Sequence, residues 1–276
     1  MAMNSINTNA GALIALQNLN STSNQLNVTQ NRINTGMRVS SAKDDGATWA
    51  IAQNQRASIG ALDSVKDSLN RAISTVDVAV SAGETVSDLL TQMKSKALAA
   101  TDTGLDSTSR AALNNDFKAL RDQRAKVVSN ADFNGTNMVK SGGSSIYALA
   151  NAAGSSSLTV ASQDLSLGST NVTVTVTSSF NTSTLANTAL GLVNASITNV
   201  SAAVARLGTG SNALNTHLKF INKLQDTMTA GVGNLVDADV AKESANLQAL
   251  QTKQQLAVQA LSIANQSSGI LLSLFR

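Results

Sequence analysis

The chain has 276 residues, of which 3% are aromatic and 13% are charged, and it contains neither proline nor cysteine. The lack of cysteine excludes disulfides, metal thiolates and a cysteine nucleophile, and so few aromatic rings cannot fill a thick globular core. The net charge of +3 arises from basic residues scattered among acidic ones, and one Tyr and one Trp offer no stacking platform, which argues against a nucleic-acid partner.

The first predicted element is a helix over residues 3–33. Apolar side chains recur there at alternating spacings of three and four residues, which is the pattern of a helix face. One stripe is Ala12, Leu16, Leu19, Leu26 and Ile33, and a second is Ile6, Ala10 and Leu13. No basic leader precedes these residues, so we expect no cleaved signal peptide. Residues 34–46 are rich in turn formers and predict a connector.

The second predicted helix, over 47–100, carries the longest apolar seam. Its period of 3.5 residues, with every seam position apolar or small, is typical of a coiled coil. The seam consists of Leu62, Val65, Leu69, Ala72, Val76, Ala79, Gly83, Val86, Leu90, Met93, Ala97 and Ala100. With the rise of an α-helix such a seam is roughly 58 Å long, so we expect an elongated molecule.

A turn over 101–108, in which Asp102 and Asp106 supply turn and cap groups, separates this helix from a third that ends near Ser129. The Asn134-Gly135 pair that follows predicts a tight turn.

The middle of the chain has almost no charge, since Asp164 is the only charged residue between Lys140 and Arg206. Valine alternates with threonine over 172–177, which predicts a strand with one buried face. Shorter partner strands are predicted at Leu158 and Val160 and at 165–167. We therefore expect a small hairpin or sheet of two to four short strands.

The helical period returns over 193–207 and 214–235, with Gly208 and Gly210 between the two runs. A helix either passes through these glycines, at a cost of about 1 kcal/mol each, or kinks there. The last predicted helix carries two apolar stripes, interrupted at Glu243, Gln254 and Ser268. The stripes are Val236, Val240, Leu247, Leu250, Ala257, Leu261, Ala264, Leu271 and Phe275, and Leu256, Ala260, Ile263, Ile270 and Leu274. This face is wider than a two-stranded seam requires, so we expect neighbours on two sides.

Three motifs that could carry chemistry have structural explanations. Residues 208–213 match the G-x-G-x-x-A dinucleotide fingerprint, but that fingerprint follows a strand, whereas a helical period precedes it here. His217 is the only histidine, so a His-x-x-x-His zinc site is impossible, and we interpret it as a residue of a helix surface. Asp237 and Asp239 precede a helical run, where carboxylates cap free amides. We therefore expect no catalytic residue, no cofactor and no metal site.

The two ends of the chain together resemble bacterial flagellin, the subunit of the flagellar filament. The N-terminal motifs that carry the resemblance are Ser5-Ile6-Asn7-Thr8-Asn9, Leu16-Gln17-Asn18-Leu19, Arg32-Ile33-Asn34-Thr35-Gly36 and Ser41-Ala42-Lys43-Asp44-Asp45. The C-terminal ones are Asp237-Ala238-Asp239, Glu243, Gln259-Ala260-Leu261, Ala264-Asn265-Gln266 and Leu272-Ser273-Leu274-Phe275-Arg276. The short middle is similar to that of the alphaproteobacterial flagellins of the Caulobacter type.

The resemblance implies a mainly α fold in which long coiled-coil helices from both termini form an inner layer, called D0, and a surrounding layer, called D1. Residues 1–46 would be the N-terminal D0 helix and connector, and 47–135 two D1 helices. Residues 136–184 would be a small, exposed β-rich segment of D1, 185–235 its C-terminal helix, and 236–276 the C-terminal D0 helix.

Self-assembly is therefore the expected function: the protein is a structural subunit, not an enzyme, that polymerises into the extracellular filament used for swimming. Apolar residues of the two terminal helices are the candidate inner core of the polymer. They are Leu13, Leu16, Leu19, Leu26, Ile33, Leu247, Leu250, Leu261, Ile263, Leu271 and Phe275.

The resemblance also implies partners. These are further copies or paralogous flagellins, the flagellar export apparatus with its chaperone, the filament cap and the hook-junction proteins. We expect no nucleic acid, membrane or small-molecule substrate among them. The protein would be exported without a cleaved signal peptide.

One segment departs from the family pattern. Many flagellins carry Gln-Arg-Val-Arg-Glu-Leu-Ala on the first D1 helix, where a Toll-like receptor of the innate immune system recognises them. This chain has Gln92 in place of the principal arginine, followed by Met93, Lys94 and Lys96. We therefore expect weak or no activation of that receptor.

Three other kinds of protein share part of this pattern or would have to be distinguished from it. A hook-filament junction protein has the same terminal plan but joins rather than propagates. A membrane-active helical translocator would need a longer apolar span or a basic membrane-facing helix. A flagellin with a protease insert would need a His-Glu-x-x-His motif, which a single histidine rejects.

Overall fold

A computed structural model of the chain describes residues 8–273, with side chains described for residues 8–266. Within this range the helices are α1 (Ala10–Thr35), α2 (Gly46–Ala100), α3 (Ser107–Asn130), α4 (Ser183–Val236) and α5 (Val240–Ser273). The strands are β1 (Ile146–Leu149) and β2 (Ser157–Val160), which pair antiparallel with Ile146 opposite Val160 and Leu149 opposite Ser157. The predicted mainly α fold with a small sheet in the middle is confirmed.

The chain divides into two compact units. The terminal unit contains the described residues up to Ala57 together with those from Thr227 onward, and the central unit comprises Ser58–Asp226. Each of the long helices α2 and α4 contributes one part to each unit. The predicted division into D0 and D1 segments stays a prediction.

In the central unit, the predicted α2 seam forms the core. Every seam position from Leu62 to Ala100 is buried. Gly83 allows a close approach to α4, because a Cβ atom on this glycine would lie only 2.5 Å from Cγ2 of Val204. The polar edge of the same packing includes a hydrogen bond of 2.7 Å from Lys66 Nζ to Gln225 Oε1. The small residues of the seam thus let two long helices pack closely.

The fourth helix passes through Gly208 and Gly210 without interruption. A Cβ atom at Gly210 would lie 2.7 Å from Cγ1 of Val160, so this glycine makes room for strand β2. By length and composition alone α4 could cross a membrane, since an 18-residue window reaches a mean hydropathy of 1.3. Its apolar residues include Val193 and Leu207, which are fully buried in the central unit, although only 28% of that window is buried. Length and composition alone therefore assign no membrane span to this helix.

The predicted strand over 172–177 is wrong. Val172 and Val174 are buried, as the alternation indicates, but no strand among the described residues pairs with this segment, and backbone amides of the segment donate hydrogen bonds to side chains. The amide of Thr173 donates to Oγ of Ser196 on α4, and the amide of Thr175 donates to Oγ of Ser178. Residues 165–167 form no strand either, whereas the strand predicted at Leu158 and Val160 is confirmed.

Helix α3 holds the nearly uncharged middle segment in place. The helix begins after Asp106, whose Oδ1 accepts hydrogen bonds from the amides of Ser109 and Thr108. These two bonds, together with a third from the hydroxyl of Ser109, lower the pKa of the Asp106 carboxyl. Phe117 packs edge-on against Phe180, with ring centroids 5.2 Å apart.

Candidate self-assembly interface

The two terminal helices pack against each other, and their ends are joined by side-chain hydrogen bonds. Asn9 caps α1, since its Oδ1 accepts a hydrogen bond of 3.0 Å from the amide of Ala12. The Nδ2 of the same side chain donates to the carbonyl of Ala264 on α5 over 2.7 Å. One asparagine therefore both starts α1 and fixes it beside α5.

At the other end of the pair, the connectors that leave α1 and α4 are bonded to each other. Gly36 ends α1 in the left-handed conformation, with φ of 68°, and its carbonyl accepts a hydrogen bond from the amide of Ala238. The amides of Arg38 and Val39 both donate to the carbonyl of Val236, and the guanidinium of Arg38 donates to the carbonyl of Leu235. The connector after α1 and the connector after α4 are therefore held together by hydrogen bonds.

An ion pair links the helices just beyond these connectors. Nη1 of Arg32 on α1 lies 3.1 Å from Oε1 of Glu243 on α5. Helix α5 is capped by Asp239, whose Oδ1 accepts from the amide of Lys242, so the predicted capping role is confirmed there. Asp237 serves differently: its backbone pairs with Met37, and its amide donates to the carbonyl of Gly233.

The helices bury one face each and leave the opposite face in solvent. Leu26 of α1 and Leu250 of α5 are buried, and Leu19, Ile33, Leu247 and Leu261 are half-buried. The predicted core residues Leu13, Leu16 and Ile263 are exposed, with 59% of the Leu13 surface and 68% of the Ile263 surface accessible. Helical spacing places Leu13 and Ile263 on the sides of α1 and α5 away from the partner helix. Leu271 and Phe275 lie outside the residues whose side chains are described.

Further exposed apolar residues extend this surface, and the sequence stripes omit several of them. Large apolar side chains are exposed on α1 at Ile14 and Val28 and on α5 at Val240, Leu256 and Val258. Ile14, Val28 and Val258 lie off the assigned three-and-four stripes. The sequence feature that indicates these residues is the apolar fraction of the two helices, which is higher than a helix packed on one side only requires.

An open groove of about 480 Å³ runs between the two helices. Its walls include Val28 and Arg32 from α1 and Glu243, Leu250 and Lys253 from α5. Protein interiors are close-packed, so a groove of this volume between two paired helices leaves room for side chains of a further helix.

The other candidate residues lie in the central unit. Met93 is fully buried, whereas Gln92 and Lys94 are exposed, and Nζ of Lys96 pairs with the carboxylate of Asp116 at 2.8 Å. A ring nitrogen of His217 hydrogen-bonds the carbonyl of Ala150 over 2.8 Å. Among the described residues, no group of three or more His, Asp and Glu side chains could hold a metal ion.

Comparisons with known proteins agree at both ends of the chain. Residues 6–144 match the family model of the bacterial flagellin N-terminal helical region, and residues 190–275 match that of the C-terminal helical region. Flagellin FljM of Caulobacter vibrioides is 56% identical over 276 residues, which is 100% of both chains. A flagellin of Brucella melitensis is 37% identical and aligns with 99% of this chain and 100% of its own.

A solved structure shares the fold. The putative flagellar hook-associated protein from Vibrio parahaemolyticus superimposes with a TM-score of 0.58 over 70% of this chain and 100% of its own, with 14% sequence identity. At that identity the likeness concerns the fold alone.

Proposed function

The chain belongs to the bacterial flagellin family and is a structural subunit of the flagellar filament, and we propose that its terminal unit supplies the inner contacts between copies. The observation that supports this proposal is the exposure of large apolar side chains on both terminal helices, as at Leu13 and Ile263, although the helices already pack against each other. The remaining apolar surface then contacts α1 and α5 of neighbouring copies.

The energy available from this surface is of the right size for assembly. Burying one Leu, Ile or Val side chain stabilises a contact by about 1.5–3 kcal/mol, whereas association costs about 4–15 kcal/mol of translational and rotational freedom. A single exposed leucine is therefore too weak, but a continuous surface is sufficient. In this surface we include Leu13, Ile14, Leu16, Val28, Leu256 and Ile263.

The predicted core residues divide into two roles under this proposal. The half-buried and buried ones, including Leu26, Leu250 and Leu261, hold α1 beside α5 within one copy. The exposed ones, Leu13, Leu16 and Ile263, contact other copies. Leu271 and Phe275 remain predicted members of the inner core.

The exposure of Ile263 allows a test that separates polymerisation from folding. Ile263→Asp should leave the α1–α5 pair intact, because the side chain is exposed there, but should stop polymerisation by burying an unpaired charge between copies. Ile263→Leu keeps an apolar side chain of the same size and should polymerise normally. The measurement is the fraction of purified protein that sediments as filaments, with circular dichroism as the check on helix content. Normal filaments from Ile263→Asp would refute the proposal.

Leu261→Asp should also abolish filaments, but by a different route. Leu261 is half-buried, so this variant should lose helix content in the monomer as well. A loss confined to polymerisation would assign Leu261 to the contacts between copies.

A junction role between hook and filament is the nearest alternative, because the fold is shared with a hook-associated protein. Full-length identity of 56% to a flagellin favours the propagating subunit. Growth of long filaments from the purified protein distinguishes the two roles, because a junction protein does not polymerise in this way.

We extend the proposal to the partners that the export and assembly of such a subunit require: the flagellar export apparatus with its chaperone, the filament cap and the hook-junction proteins. Export without a cleaved signal peptide is part of it. An intact mass of extracellular filament protein that lacks an N-terminal segment beyond Met1 would contradict that part. We assign the chain no catalytic role.

Weak recognition by the Toll-like receptor is a separate proposal. Gln92 and Lys94 are exposed in the segment where many flagellins present arginines, while Met93 is buried and unavailable for contact. Monomers should give little response in a reporter-cell assay, and Gln92→Arg should increase it. A strong wild-type response would contradict the alignment of this segment.

A further inference from the structure

Asn134-Gly135 is the only Asn-Gly pair in the sequence. Asn-Gly pairs deamidate spontaneously in flexible chains because glycine has no side chain to hinder the reaction. The amide nitrogen of the glycine loses its proton to a solvent base and attacks Cγ of the asparagine, and the side-chain nitrogen leaves as ammonia. Water then opens the resulting succinimide at either carbonyl, which yields aspartate or isoaspartate.

The fold holds this pair in a tight turn. Asn134 and Gly135 have φ of 51° and 78°, and the amide of Thr136 donates to the carbonyl of Phe133 over 3.0 Å. The amide of Phe133 donates in return to the carbonyl of Thr136, also over 3.0 Å. Positive φ at both central residues and this pairing are the features of a type I′ turn.

The turn separates the two atoms that would have to react. In the left-handed conformation, the torsion angle about the Cα–C bond of Asn134 places Cβ on the side away from the nitrogen of Gly135. Closing the five-membered ring requires rotation about that bond, and the rotation would break both hydrogen bonds between Phe133 and Thr136.

Asp132 blocks the nucleophile itself. The amide of Gly135 donates a hydrogen bond of 2.8 Å to Oδ1 of Asp132. A carboxylate at this distance occupies the N–H group and repels the amide anion that the attack requires.

We infer that Asn134 is a deamidation site that the folded chain masks and the unfolded chain exposes, with Asp132 as the residue that suppresses the reaction. The inference is independent of filament assembly, because it depends only on the turn within the central unit. Deamidation at Asn134 then reports how long a molecule has spent unfolded.

The test compares deamidation of full-length protein at mildly alkaline pH in the folded state and in guanidinium, with the site located by peptide mapping. Folded wild type should react at least about tenfold more slowly than the unfolded chain. Asp132→Ala should react roughly tenfold faster than wild type while still folded, since it loses a hydrogen bond to a charged acceptor. Asp132→Asn keeps an oxygen acceptor but loses the charge that repels the amide anion, so its rate should lie between those of wild type and Asp132→Ala.

Equal rates for folded and unfolded wild type would overturn the inference. An unchanged rate in folded Asp132→Ala would overturn the role of Asp132. Should that variant fail to fold, hydrogen exchange in the wild type decides: an amide of Gly135 that exchanges as freely as in an unfolded peptide would contradict protection by Asp132.

Discussion

Arg32 on α1 and Glu243 on α5 form an ion pair of 3.1 Å in which the acid is the more buried partner, with 11% of its side chain exposed against 35% for the arginine. Glu243 interrupts an apolar stripe of α5, and the pairing explains why a carboxylate is tolerated there. A buried charge is strongly destabilised once its partner is removed.

We predict that Arg32→Ala destabilises the terminal unit by roughly 1.5–3 kcal/mol, the usual range for a hydrogen bond to a charged group. Denaturant unfolding followed by circular dichroism measures the change. The double variant Arg32→Ala with Glu243→Gln should be more stable than Arg32→Ala alone, because it leaves no unpaired carboxylate. If Arg32→Ala unfolds at the wild-type denaturant concentration, the pair does not hold the helices together.

A matched pair of glycines on α2 tests the helix packing of the central unit. A Cβ at Gly83 would lie 2.5 Å from Cγ2 of Val204, so Gly83→Ala should destabilise by about 1–3 kcal/mol through overpacking. Gly60 has open space around it, and Gly60→Ala should stabilise by up to about 1 kcal/mol. Thermal unfolding compares them, and Val204→Ala should rescue Gly83→Ala. Equal effects at the two glycines would rule out this contact.

The glycines of α4 give a second comparison. Gly208→Ala meets no neighbour and should raise the unfolding free energy by up to about 1 kcal/mol, whereas Gly210→Ala would press on Val160 and should lower it. Hydrogen exchange of β2 should increase only in the Gly210 variant. A stabilising Gly210→Ala would show that β2 does not rest on the helix at this point.

Arg124 provides a prediction about pH. The side chain is fully buried, Nη1 donates to the carbonyl of Leu165 over 3.1 Å, and Nε and Nη2 lack partners among the described residues. Burial lowers the pKa of Arg124 from its usual range to about 10, although the nearby Asp164 carboxylate opposes the shift. Arg124→Met, which fills similar space without charge, should therefore be more stable than wild type near neutral pH, by about 1 kcal/mol.

The sign of the pH dependence follows from linkage. Above pH 10, and up to the ordinary pKa of arginine, the unfolded chain binds more protons at Arg124 than the folded one, so this group makes wild type more stable as the pH rises there. The advantage of Arg124→Met should consequently shrink above pH 10, as measured by denaturant unfolding at several alkaline pH values. A constant difference would mean that Arg124 keeps its charge throughout.

Much of the fold could be predicted because helix faces are encoded by local spacing. The buried seam from Leu62 to Ala100 and the cap at Asp106 follow from residues close together in sequence. The prediction of a strand over 172–177 was wrong for a related reason. Alternation indicates which side chains are buried, but it does not indicate whether the backbone pairs with a strand or with side chains such as Ser196.

The candidate interface was predicted as a surface but not as a set of contacts. An excess of apolar residues on α1 and α5 indicates that the terminal helices need further neighbours, and exposed Leu13 and Ile263 agree with it. The links from Arg32 to Glu243 and from Asn9 to Ala264 join residues more than two hundred positions apart. No local period encodes such pairs, although an acid within an apolar stripe indicates that a base lies near it.

Under this proposal, neighbouring copies cover the apolar surface that each terminal unit leaves in solvent. Electron cryomicroscopy of filaments grown from the purified wild-type protein shows whether they do. We predict that Leu13 and Ile263 are buried against helices of other copies. Filaments in which both side chains stay in contact with solvent, with the copies held together elsewhere, would contradict the account.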